Sequence, residues 1–104
     1  MGIELCAGDR NFYYEVLKAF VETHFIDSLN TCLDTQDFKT YQVVVHGVKS
    51  SAKSIGAIPL SELALDLELA LKERNDIEYI KNNHETIIFK IKEIEDIITS
   101  LLNS

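Results

Sequence analysis

Proline occurs once in the 104 residues, glycine four times and tryptophan not at all. So few chain breakers leave little room for a turn-rich β architecture, and no alternating apolar pattern stands in for one. Cysteine is nearly absent too. Cys6 and Cys32 show neither CxxC nor Cys/His ligand spacing, and two cysteines are too few for a disulfide framework. No metal or other cofactor is expected, and the reduced cytoplasm is the expected compartment. Positive charge is scarce: 10 Lys and Arg stand against 17 Asp and Glu, for a net charge of -7. That balance argues against nucleic acid and against an anionic membrane surface. No apolar run approaches the roughly 20 residues that cross a bilayer, so no membrane insertion is expected. The opening MGIELCAGD lacks the basic region and apolar stretch of a secretion signal, and Cys6 stands where a myristoylation motif takes Ser or Thr.

What is present is an apolar content of 46%, enough for one small domain over residues 1–104 with a modest core. Asp9 is a candidate N-cap for a first helix running to about Leu33. Asp34-Thr35-Gln36 reads as a break, and Asp37 caps a second helix ending near Gly56. Pro59 suits the first turn of a third helix, where its missing N–H would have no partner anyway. That helix carries Leu60, Leu63, Leu67 and Leu71 on one stripe. Asn75-Asp76 separates it from a last helix lined by Ile77, Ile80, Ile87, Ile91, Ile94, Ile98 and Leu101. The fold expected is all-α: an antiparallel up-and-down four-helix bundle, with room for a short extra N-terminal segment or helix.

One further absence is local. From Phe38 to Pro59 there is no Asp or Glu, only Lys39, Lys49 and Lys53, so the rest of the chain carries -7 - 3 = -10. Within this stretch Tyr41, Val44, Val45, Val48, Ala52 and Ile55 fall on one side of the second helix, centred roughly 150° from His46. His46 therefore faces solvent, on a stripe with Gln42, Lys49, Ser50 and Lys53. The chemistry of these residues suits carriage of a phosphoryl group. A neutral imidazole is a nitrogen nucleophile near pH 7, since a free histidine titrates at about 6.5, and the phosphoramidate it forms is labile. Lys49 at i+3 can pair with phosphate oxygens, Lys53 extends the positive field, and Ser50 can donate a hydrogen bond. Gly47 would keep bulk off the flank of the ring, at about 1 kcal/mol in helix propensity. Exposed histidines beside lysines also occur on merely solvated faces, and residue types alone leave both readings open.

The order of residues goes further. His46-Gly47-Val48-Lys49-Ser50-Ser51-Ala52-Lys53-Ser54-Ile55-Gly56-Ala57 resembles the phosphorylation segment of histidine phosphotransfer (HPt) domains, whose pattern reads His, any, apolar, Lys, Gly, small, small, two variable, apolar, Gly, Ala. The likeness continues into Leu60, Leu63, Ala64, Leu67 and Glu68, and back through Gly8-Asp9, Phe20 and Asp37-Phe38. The resemblance implies a phosphorelay carrier whose exposed histidine takes a phosphoryl group from a receiver-domain aspartate and passes it to another. It implies His46 as phosphoacceptor and Lys49 as the phosphate-orienting lysine; Ser50 and Lys53 are candidate further phosphate contacts on their own side-chain chemistry alone. The implied partners are receiver domains of response regulators or hybrid histidine kinases, met by a monomer. Magnesium and the acidic residues would belong to the receiver. The chain departs from the pattern at Ser50, which stands where the family has glycine and so bears on partner choice and transfer rate. Val43, Phe12 and Tyr13 are candidates for apolar contact with a receiver, although core packing is the stronger reading for the two aromatics.

No glycine-rich nucleotide loop is present, so a carrier without its own ATP site is expected rather than an enzyme. The histidine hairpin of sensor kinases fits poorly, because its histidine is followed at once by an acid and soon by proline, and His46 is not. Two alternatives stay open: the phosphoacceptor domain of a chemotaxis-type histidine kinase, and a non-phosphorylated helical interaction module. His84 continues the stripe between Ile80 and Ile87 and reads as a partly buried structural histidine. His24 reads as a polar residue beside Phe20 and Phe25, and Cys32 as a small apolar filler.

Overall fold

The computed structural model describes residues 10–103, with side chains from Tyr13 onward, so the expected cap at Asp9 lies outside the described residues. Among the described residues all regular structure is helical: α1 (Arg10–Glu22), α2 (Phe25–Asp34), α3 (Phe38–Ser54), α4 (Ile58–Arg74) and α5 (Ile77–Leu102). Joined end to end, α1 and α2 form the first arm of the expected four. Connections of two or three residues after α2, α3 and α4 force successive helices to run antiparallel. α2 packs on α3 and α5, α3 on α4, and α4 on α5, which closes the bundle, while α1 lies against α5.

The first helix differs from expectation: it breaks at Thr23-His24, with His24 in the left-handed region at φ 57°. No glycine or proline marks the place. The reason is tertiary. In one unbroken helix, rings five residues apart would point about 140° from each other. The break instead brings Phe20 and Phe25 edge to face at 5.4 Å, and both are buried. Burying an aromatic ring contributes about 1.5–3 kcal/mol, which offsets the roughly 1–3 kcal/mol of an unfavourable backbone at His24.

The other boundaries follow local chemistry. Asp37 accepts from the Thr40 amide at 3.1 Å and from its hydroxyl at 2.7 Å. Asp76 accepts from the Tyr79 amide at 3.1 Å. Gly56, at φ 81°, ends α3 in the left-handed turn that lets the Ala57 amide reach the Ala52 carbonyl at 2.8 Å. The apolar stripes meet as expected: Leu17, Leu29, Tyr41, Val45, Val48, Ile55, Leu60, Leu67, Ile80, Ile87, Ile91 and Ile98 are fully buried. His84 is buried with them. Its Nε2–H donates to Asn30 Oδ1 at 2.7 Å, since that oxygen can only accept, and its Nδ1 then receives the Tyr41 hydroxyl at 2.9 Å. Burial holds this imidazole below its ordinary pKa, although Glu85 and Asp34 pull the other way.

Candidate functional site

Because α3 turns Tyr41, Val45, Val48 and Ala52 into the bundle, His46 projects from the opposite side, with its side chain 59% exposed. α4 runs antiparallel beside it and brings Glu68 to the ring. His46 Nδ1 lies 2.6 Å from Glu68 Oε2, and Lys49 Nζ donates to Glu68 Oε1 at 2.7 Å. Glu68 is nearly buried, at 12% side-chain exposure. Burial pushes its carboxyl pKa up, but the hydrogen bonds from Lys49 and His46 and their charge outweigh that effect, and the net shift is downward. Glu68 is thus an ionised acceptor, so Nδ1 of His46 carries the proton. The lone pair is left on Nε2, which meets no hydrogen-bond partner among the described residues. The Ser61 hydroxyl donates to the Lys49 carbonyl at 3.1 Å and ties the start of α4 to the turn that carries Lys49.

Ser50 and Lys53 are exposed and line, with His46 and Lys49, a shallow hollow closed on the α4 side by Ser61, Glu62 and Leu65. Neither hydrogen-bonds to the imidazole. The structure therefore brings together all four residues singled out from the sequence, yet Lys49 is held by a carboxylate where the sequence suggested a lysine free to meet phosphate. On the other flank Val43 stands 69% exposed. Tyr13, by contrast, is buried, which removes it as a docking residue; the Phe12 side chain lies outside the described residues. A Cβ added at Gly47 would touch the edge of Phe25 at 3.4 Å, an ordinary contact, so the fold does not demand glycine there.

Glu68 is the residue that the motif did not assign a role. A signal was present: it lies four residues after Ala64 and three before Leu71, inside the buried arc of α4. An acid at such a position needs a partner, and the acid-free α3 packed against α4 offers cations. Cys32 is buried, and burial raises its thiol pKa, as suits a filler. Among the described residues no three His, Cys, Asp or Glu side chains come together as a metal site. No described helix is long and apolar enough to cross a membrane.

Neither the comparison with curated proteins nor that with solved structures gives a match. The family model for the Hpt domain matches residues 13–103, which takes in all of α2 to α5 and both sides of the His46–Glu68 contact. With nearly the whole chain under that match, on a helical bundle of the expected architecture, the chain belongs to the Hpt domain family, the histidine phosphotransfer modules of phosphorelays.

Proposed function

We propose that His46 is the phosphoacceptor of this module, taking a phosphoryl group on Nε2 from a receiver-domain aspartate and returning it to another. The observation that carries the reading is the contact of Nδ1 with the Glu68 carboxylate, which fixes the tautomer whose lone pair faces solvent. In the forward step the Nε2 pair forms the N–P bond while the aspartyl O–P bond breaks and its electrons return to the carboxylate. Lys49, one turn along α3, sits where its ammonium can turn from Glu68 to a phosphoryl oxygen. Ser50 and Lys53 border the same hollow and add a donor and a positive charge. Val43 and Leu65, both exposed beside His46, give a receiver an apolar footing. The module is taken to work as a cytoplasmic monomer, without an ATP site of its own.

The test is transfer of labelled phosphoryl from an acetyl-phosphate-charged receiver to the wild type, His46→Gln and Lys49→Ala. Acid-labile, alkali-stable label on the wild type and none on His46→Gln is expected. Lys49→Ala should stay folded and gain label about ten- to a hundredfold more slowly, the loss of one charge-assisted contact. Wild type that takes no label from any of a panel of receivers would leave an interaction module without chemistry.

A further inference from the structure

The partner of His46 Nδ1 is a carboxylate, and that choice has a consequence after phosphorylation. When Nε2 carries phosphorus, Nδ1 either keeps its proton, as an N-phosphoimidazolium, or loses it. The two forms differ in their leaving group. With the proton in place, attack by an acceptor carboxylate forms an O–P bond, the N–P pair returns to Nε2, and a neutral imidazole departs with Nδ1–H intact. Without it, the departing group would be an imidazolate anion, and transfer stalls.

Glu68 bears directly on that proton. Its Oε2 is 2.6 Å from Nδ1 and the carboxylate is nearly buried on α4, so it stays beside the ring when Lys49 turns to the phosphoryl group. The charged groups around the two hollows beside His46 are Lys49 and Lys53 from α3 and Glu62 and Glu68 from α4, and of these Glu68 alone touches the ring. α2 presents only the apolar edge of Phe25 to the neighbouring Gly47. Resting on the phosphoacceptor reading of His46, we propose that Glu68 is a positioning residue that keeps Nδ1 protonated in the phosphorylated form, so that phospho-His46 remains a ready donor through neutral and mildly alkaline pH. A glutamine in its place has no such bias: its amide oxygen can accept from Nδ1–H, but its amide nitrogen can equally donate to a bare Nδ1.

The test separates this inference from the relay reading by loading His46 chemically with phosphoramidate, which needs no receiver. The phosphorus NMR signal of the loaded protein is then followed between about pH 5 and 9, beside a phosphohistidine in a short unfolded peptide. The wild-type midpoint should lie at least about one pH unit above the peptide's, a tenfold difference in proton affinity. In Glu68→Gln it should fall back by a similar interval. Transfer from phospho-His46 to a receiver should match the wild type well below both midpoints, fall behind in Glu68→Gln as pH rises past the variant's midpoint, and level off at about a tenfold deficit above the wild-type midpoint for a one-unit separation. A wild-type midpoint at or below the peptide's overturns the proposal, and that comparison requires no variant to fold. So does a Glu68→Gln midpoint equal to the wild type's. Midpoints ordered as expected in a protein that exchanges with no receiver would support the role of Glu68 and refute the relay.

Discussion

Two of the three histidines on this bundle are held through Nδ1, and their surroundings suit them to opposite work. His84 has both ring nitrogens engaged, by Tyr41 and Asn30, and is 3% exposed in a core of isoleucines. It has no free lone pair and no route to solvent, so its imidazole serves as a buried polar strut across α2, α3 and α5. His46 has one nitrogen engaged, by a carboxylate, and leaves the other to solvent. On the proposed reading, a histidine becomes reactive through the nitrogen left unpartnered, and through an acid that fixes which nitrogen that is.

Exchanging the fates of the two residues gives the largest effects. His84→Ala should retain phosphorylation of His46 while losing about 3 kcal/mol of stability, from the cavity and from the stranded Tyr41 hydroxyl. Urea denaturation read beside a labelling assay checks both halves. His46→Gln should do the reverse, abolishing label while shifting the urea midpoint little. A His84→Ala protein that is fully stable but cannot be labelled would erase the distinction.

The next effect is one of pH. The folded state holds the pKa of His84 below its ordinary value of about 6.5, so the folded chain binds fewer protons there than the unfolded chain does. The stability tied to the neutral ring is complete above that value and declines as pH falls through it toward the folded pKa. The urea midpoint should therefore drop between about pH 7.5 and 5.5, and drop less in His84→Ala. An identical slope in the two proteins would show that His84 titrates alike folded and unfolded.

The smallest effect concerns the residue beside His46. Gly47→Ala meets only the edge of Phe25, so the gain in helix propensity should raise stability by up to about 1 kcal/mol. Were the same variant to slow labelling, the glycine would be there for access to the imidazole and not for the fold. Unchanged labelling would remove that role.

Much of this was legible in the sequence because it is local. The Asp37 and Asp76 caps, the helix end near Gly56 and the isoleucine face of α5 depend on residues within one or two turns of each other, and each appears as read. The outward aspect of His46 followed from the valines opposite it. The break at His24 was not legible, because nothing nearby breaks a helix; it exists so that Phe20 and Phe25 can meet in the core. Nor was the grip of Glu68 on His46 and Lys49, since the acid lies 22 positions from the histidine and reaches it only when α4 folds back along α3. The motif pointed to the proposed nucleophile, and the fold supplied the carboxylate beside it.

The most direct test of that division is a phosphorus–nitrogen NMR correlation on the phosphorylated, nitrogen-15-labelled protein. Phosphorus coupled to Nε2 of His46, with Nδ1 still bearing its proton, is the expected result. Phosphorus on Nδ1 of His46, or on His84 or His24, would contradict it.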